Sequence, residues 1–90
     1  MTMEKDTVRK ILVEEIESMF NISIIDLDEN LLNQNLGIDT FDLLYLLNMM
    51  NEKFKVNVYK IIERNDSKVF TVNNLAEKIE EMYSDENRND

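Results

Sequence analysis

The sequence of 90 residues contains no cysteine and no histidine. Without cysteine there are no disulfides, no zinc sites built from thiolates and no cysteine nucleophile. Without histidine the chain lacks the side chain that most often acts as a general base and as a metal ligand. We therefore expect a protein that is not an enzyme and has neither catalytic nor metal-binding residues.

Proline is also absent, and Gly37 is the single glycine, so little in the chain interrupts a helix. The uninterrupted apolar runs are only a few residues long, too short to span a membrane. No basic start followed by an apolar stretch marks a secretory signal. The sequence therefore predicts an all-α protein of the cytoplasm.

Basic side chains are few: 10 Lys and Arg stand against 19 Asp and Glu, and the net charge is −9. So acidic a chain repels phosphates, which argues against nucleic acid as a partner. The length corresponds to one small domain. We expect a monomer whose partners are other proteins.

Apolar residues recur at three- and four-residue spacing in four segments, which predicts four helices. The segments are 6–20, 40–54, a short stretch within 57–65, and a last helix from about 72 to 83. Asp6, Asp39 and Thr71 are the expected N-caps, because their side chains can accept hydrogen bonds from a first helical turn. Leu44 and Leu46 widen the apolar stripe of the second helix. The predicted core contains Ile11, Phe20, Leu43, Leu47, Phe54, Leu75 and Ile79.

The long connection 21–39 has no sustained period and is expected to wrap around the bundle. Leu31 and Leu32 should hold it in place, on a short turn capped by Asp28. Gly37 stands just before the second helix, where a positive φ is often needed. The polar segment 84–90 is predicted to be disordered, so the folded domain should comprise 1–83.

Part of this connection has the spacing of a calcium-binding loop, with Asp26, Asp28 and Asn30 as its first ligands. Such a loop needs glycine at its sixth position and glutamate at its twelfth. Leu31 and Gly37 occupy those two positions instead. The pattern therefore does not predict a calcium site.

The segment 35–43, which reads Asn-Leu-Gly-Ile-Asp-Thr-Phe-Asp-Leu, resembles the centre of the acyl carrier protein family, whose signature is Leu-Gly-x-Asp-Ser-Leu. The likeness continues through the helix order to Thr71-Val72, which matches the family's entry into its last helix. This resemblance covers roughly residues 6 to 83. It implies an acyl-carrier-protein-like four-helix bundle with a long first loop and a short third helix.

In that family the serine that opens the second helix carries 4′-phosphopantetheine, and Thr40 stands at the matching position, preceded by Gly37 and Asp39. Threonine keeps the hydroxyl but adds a methyl group on Cβ, which restricts χ1 and crowds the attacking oxygen. A displacement of about an ångström can lower a rate by about a hundredfold. We therefore expect inefficient modification of Thr40 and no cofactor. The alternative is a functional acyl or peptidyl carrier that bears 4′-phosphopantetheine on Thr40.

The second helix of typical carriers is acidic and meets basic patches on partner enzymes. Here the helix and the residues just after it have no net charge, because Asp42 and Glu52 are balanced by Lys53 and Lys55. Partners that bind this surface should therefore be less basic than the partners of typical carriers.

Phe41, Asp42, Tyr45 and Asn48 are the candidate partner-binding residues. Two alternatives stay open: Phe41 could be a core residue near the end of the loop, and Tyr45 would equally suit packing at a bundle edge. These features predict an accessory protein-binding module of a peptide maturation or other biosynthetic system. Its expected partners are biosynthetic or peptide-modifying enzymes. If the protein is instead a carrier that bears 4′-phosphopantetheine on Thr40, a phosphopantetheinyl transferase is a further expected partner.

Overall fold

The structure, a computed structural model, describes residues 4–24 and 26–86. Within these ranges there are four α-helices, two short 3₁₀ turns and no strand. The helices are α1 (Lys5–Phe20), α2 (Thr40–Phe54), α3 (Tyr59–Arg64) and α4 (Val72–Glu86), and the 3₁₀ turns cover Gln34–Leu36 and Ser67–Val69. The predicted all-α class is confirmed. In the described part of the chain, no helix has both the length and the apolar character that a membrane span requires.

Helices α1 and α4 pack against each other in antiparallel orientation. The backbone N–H of Lys5 donates to Glu80 Oε2 at 2.8 Å, and Arg9 Nη1 donates to Asn73 Oδ1 at 3.2 Å. Arg9, the later of the two α1 residues, thus contacts Asn73, the earlier of the two α4 residues, so the helices run in opposite directions. These polar contacts flank the apolar contact between the two helices and fix its register.

All four helices contribute to one apolar core. The predicted core residues that are fully confirmed are Leu43, Leu47, Phe54, Leu75 and Ile79. Ile11 and Phe20 are only half-buried and pack against the edge of this core. Val8, Leu12 and Ile16 form the buried stripe of α1, and Ile11 lies about 100° around the helix from Leu12. Phe20 is the last residue of α1, and each four-residue step rotates by about 40°, so it has moved away from the line of Val8 and Leu12.

Two of the three predicted N-caps are confirmed. Asp39 precedes α2, and its Oδ1 accepts a hydrogen bond from the N–H of Asp42 at 2.8 Å. Thr71 precedes α4, and its Oγ1 accepts from the N–H of Asn74 at 3.0 Å. Each cap satisfies a donor that has no partner within the helix, so both helices start where the sequence predicts.

The prediction that Asp6 is the N-cap of α1 is wrong. The helix begins one residue earlier, at Lys5, and its N-cap Glu4 makes no side-chain hydrogen bond to the first turn. Asp6 lies inside that turn and forms an ion pair with Arg9. A carboxylate at this position is still favourable, because the helix dipole places positive charge at the N-terminus.

The long loop is fastened to the start of α4. The N–H of Leu31 donates to the Phe70 carbonyl at 2.7 Å, and the N–H of Asn73 donates to the Leu27 carbonyl at 3.1 Å. Leu31 is buried, as expected, but Leu32 is 44% exposed, so its predicted role in holding the loop is wrong. The side chains of Leu31 and Leu32 point in different directions because the backbone forms a turn at these two residues.

The turn before Leu31 is also capped differently from the prediction. Asp26 Oδ1 accepts from the N–H of Asp28 at 2.9 Å, so Asp26 and not Asp28 closes the turn. The carboxylate of Asp28 instead accepts from Asn73 Nδ2 at 2.7 Å, which ties the loop to α4. This pairing joins residues far apart in sequence, and local spacing does not reveal it.

Helix α4 extends to Glu86, so it includes the start of the segment 84–90 for which disorder is predicted. The remaining residues of that segment lie outside the described residues.

Added salt should raise the melting temperature of this domain. The described residues contain four ion pairs, Lys5–Glu77, Arg9–Asp6, Lys53–Glu15 and Lys78–Glu81, which leave most carboxylates without a cation nearby. Repulsion among them is screened as the Debye length shortens from about 30 Å at about 0.01 M to about 8 Å at about 0.15 M ionic strength. Thermal unfolding followed by circular dichroism in sodium and in potassium chloride measures the effect. A melting temperature that does not change with salt would show that the repulsion is unimportant.

Candidate functional site

The chain turns sharply into α2 through three residues singled out in the sequence. Gly37 has φ +71°, as expected, and its N–H closes the preceding 3₁₀ turn by donating to the Gln34 carbonyl at 3.1 Å. Asp39 is extended and caps the helix through its carboxylate. Thr40 is therefore the first residue of α2, at the end of a well-defined turn.

The side chain of Thr40 is accessible from solvent. The residue is exposed, and its hydroxyl makes no hydrogen bond to the described residues. The nearest carboxylate in sequence, that of Asp39, is occupied by the cap. The site thus offers an accessible hydroxyl to an incoming reagent.

Large apolar side chains lie exposed on one side of α2, beginning directly after Thr40. Phe41 is 81% exposed, Tyr45 is 64% exposed and Leu44 is 43% exposed. Their spacing places them side by side over one helical turn, and Asn48 continues the same side by one more turn. We call the surface formed by Phe41, Leu44, Tyr45 and Asn48 the α2 face.

The structure brings together three of the four predicted partner-binding residues. Phe41, Tyr45 and Asn48 are exposed on the α2 face. The alternative of Phe41 as a core residue is wrong, and the exposure of Tyr45 favours an accessible ring over packing at the bundle edge. Asp42 is half-buried and lies about 100° around the helix from Phe41, so it is not part of this face.

Leu44 is the residue of the α2 face that the sequence interpretation missed. The apolar pattern predicts that Leu44 and Leu46 both widen the buried stripe, but only Leu46 is buried. The spacing carried the signal, since Leu44 lies three residues after Phe41 and one before Tyr45. Phe41 and Tyr45 are both candidate partner-binding residues in the sequence.

The α2 face is held rigidly at its far end. Tyr59 Oη donates a hydrogen bond to Asn48 Oδ1, and Asn51 Oδ1 accepts from the N–H of Val58 at 2.6 Å. These bonds join the second half of α2 to the start of α3. The far end of the α2 face, at Asn48, is therefore bonded to the first residue of α3.

No charged side chain belongs to the α2 face itself. Asp39 and Asp42 lie at the start of the helix, and the exposed Glu52 lies one turn beyond Asn48. Lys53 near the end of α2 is paired with Glu15 of α1 at 2.6 Å. A partner that covers this face would bury apolar rings without having to compensate buried charges.

Replacing Asp39 with alanine should lower the free energy of unfolding by about 1 kcal/mol, the usual value of an N-cap. The variant loses the acceptor of the Asp42 N–H, and the start of α2 should fray at Thr40. Asp39→Asn is the matched control, since asparagine caps equally well and removes the same charge. Urea titrations of both variants measure the difference, and equal losses would mean that charge and not capping matters here.

Comparisons with known proteins do not place the chain in a family. No protein-family model, no curated protein and no solved structure matches it. The function is therefore inferred from the turn into α2, the accessible Thr40 hydroxyl and the α2 face.

Proposed function

We propose that this protein is an acyl-carrier-related accessory module, which binds other proteins through the α2 face and does not carry a phosphopantetheine arm. The observation that carries the proposal is the pairing of an exposed hydroxyl, at the turn into α2, with an uncharged and largely apolar α2 face. The turn is formed by Gly37, Asp39 and Thr40, and the aromatic side chains of Phe41 and Tyr45 follow at once.

The arrangement of helices supports an acyl-carrier-protein-like bundle. The order is a long α1, a long loop fastened by Leu31, a central α2, a short α3 of 6 residues and a long α4. The motif around Thr40 falls at the start of α2, which is where the resemblance puts the attachment residue. Helix order and motif position thus agree with each other.

The extra methyl group of Thr40 is the reason for proposing that the arm is absent. Thr40 is exposed, so access does not distinguish it from a serine. Transfer of a phosphopantetheinyl group instead requires the hydroxyl oxygen to lie in line with a phosphorus of coenzyme A. Catalysis of this kind depends on positioning, which the crowded and rotationally restricted Cβ of threonine disturbs.

The aromatic residues of the α2 face are the proposed anchors of a protein partner. Exposed apolar patches mark interaction sites, and large aromatic side chains supply much of the binding energy in such interfaces. Four side chains over two helical turns form a small contact surface, whereas a stable complex usually buries roughly 800 Å² per partner. The interaction is therefore transient, and the proposed partner is a cytoplasmic biosynthetic or peptide-modifying enzyme with an apolar groove that is not strongly basic.

A second candidate function is that of a true acyl or peptidyl carrier. The observation that favours it is the Thr40 hydroxyl, which is exposed and makes no hydrogen bond to the described residues. A dedicated transferase with room for the Cβ methyl would find this hydroxyl accessible. The two functions differ in one covalent modification, which mass spectrometry detects directly.

Removing an anchor of the α2 face should abolish most of the partner affinity. Each enzyme encoded next to the gene is titrated with the purified protein in a calorimeter, and the one that binds is tested with Phe41→Ser and Tyr45→Ser. Loss of an anchor residue usually costs 2 kcal/mol or more, so we expect affinity to fall by roughly thirtyfold or more.

Lys10→Ser is the control for these variants, because Lys10 is an exposed residue of α1 without an ion pair among the described residues. Its affinity for the partner should match that of the parent. Unchanged affinity in Phe41→Ser and Tyr45→Ser would show that the partner binds elsewhere and would contradict the assignment of the α2 face.

A further inference from the structure

A cleft of about 550 Å³ lies between α3 and α4, away from the α2 face. Its lining combines charged residues at the rim with an apolar floor. The charged residues are Lys60, Arg64, Lys78 and Glu81, and the floor is formed by Ile61 and Met82. The sequence interpretation missed this site, although the segment that contains α3 is the one part of the chain with a positive net charge.

The rim is positive in a chain whose net charge is −9. It brings three of the 10 basic side chains together with a single carboxylate. Lys78 is paired with Glu81 at 3.6 Å, whereas Lys60 and Arg64 form no ion pair with the described residues. Lys60 and Arg64 lie four residues apart on α3 and therefore face the same way.

The floor is strongly apolar and almost fully covered. Ile61 is 3% exposed and Met82 is 9% exposed, so both belong to the core and show only a small part of their surface to the cleft. Ligand sites of this kind hold an apolar body on the floor and fix it with a few polar groups at the rim. The volume of the cleft lies within the range of small-molecule sites, about 300–1,000 Å³.

We propose that this cleft binds a small amphiphilic anion, a molecule with one carboxylate or phosphate group on an apolar body. The anionic group would contact Arg64 and Lys60. A guanidinium offers parallel N–H donors that match the oxygens of either group, and an ammonium adds a second charge. The apolar body would lie over Ile61 and Met82.

Such an anion has two possible sources, a free molecule in solution and the headgroup of a lipid in a membrane. The concave shape and the buried floor favour a single free molecule, because a headgroup held in a bilayer cannot bring its apolar body into a cleft 550 Å³ in volume. The proposal is independent of the function assigned to the α2 face, and either can fail without the other.

The test is a titration of the full chain with monomeric octanoate and octyl phosphate, followed by calorimetry and by methyl NMR. We expect saturable binding of at least one of them, with shifts of the Ile61 and Met82 methyl resonances. Octanol lacks the charge and inorganic phosphate lacks the apolar body, so each should bind at least tenfold more weakly. Vesicles of anionic phospholipid should not compete. Vesicle binding without octanoate or octyl phosphate binding would overturn the assignment to a free molecule.

Arg64→Gln should weaken binding of the anion by about tenfold or more, a factor that corresponds to 1.4 kcal/mol. Lys10→Gln removes the same charge from an exposed site on α1 and should leave the affinity unchanged. Arg64 is exposed and forms no ion pair with the residues that the structure describes, so its variant should keep the melting temperature of the parent. The proposal is overturned by absence of binding, by equal binding of octanol, or by an equal loss of affinity in both variants.

Discussion

Replacing Leu47 with alanine should lower the free energy of unfolding by about 2–5 kcal/mol, the largest stability effect of a single substitution expected here. Leu47 is 1% exposed at the centre of α2, among residues contributed by the other helices. Alanine would remove three carbon atoms and the contacts they make. The cost depends on how far the surrounding side chains close the cavity, and close-packed interiors close only partly.

Leu44→Ala is the matched control for this substitution. It removes the same atoms from the same helix, but its side chain is 43% exposed, so we expect a loss of less than about 1 kcal/mol. Urea titrations of both variants give the two free energies. Equal losses, or a loss at Leu47 within the error of the titration, would contradict the placement of α2 at the centre of the bundle.

The start of α2 could be predicted from the sequence because its determinants are local. Asp39 caps the helix by bonding a donor three residues away, and Gly37 provides a positive φ two residues before the cap. Both features depend on residue type and spacing alone. The same holds for Thr71 at the start of α4.

The exposure of individual leucines could not be predicted in this way. Leu32 and Leu44 stand next to buried residues and carry the same side chain, yet both are more than two-fifths exposed. Which side of a turn or helix is covered depends on contacts between distant segments, such as the bond between Leu31 and Phe70. The spacing of apolar residues limits which sides of a helix or turn can be buried, but it does not determine which of those sides is buried.

The cleft between α3 and α4 could not be predicted from local spacing either. Arg64 and Lys78 are 14 positions apart, and only the packing of the two helices brings them to one rim. The local excess of positive charge around α3 was visible in the sequence. The sequence did not show that these positive residues lie next to Met82 of α4, which forms part of the floor of the cleft.

Replacing Thr40 with serine should speed modification by a phosphopantetheinyl transferase by about a hundredfold, the factor associated with a displacement of about an ångström at a reacting atom. The substitution removes one methyl group from an exposed side chain and leaves the Asp39 cap in place. The folded domain should therefore be unchanged. The expected difference lies in the rate of transfer alone.

The assay uses coenzyme A, magnesium and a transferase of broad specificity, and intact mass gives the modified fraction over time. Thr40→Ala is the negative control, because it has no hydroxyl to modify. If neither parent nor Thr40→Ser gains the arm, the uncharged α2 face has lost the docking of the transferase as well. Equal rates for the parent and Thr40→Ser would contradict the assignment of the effect to the methyl group.

The most direct test of the proposed function is the intact mass of this protein isolated from the cells that normally produce it, where any dedicated transferase is present. We expect the mass of the unmodified chain. A mass increased by one phosphopantetheine group on Thr40 in most of the molecules would contradict the accessory role and establish the protein as a carrier.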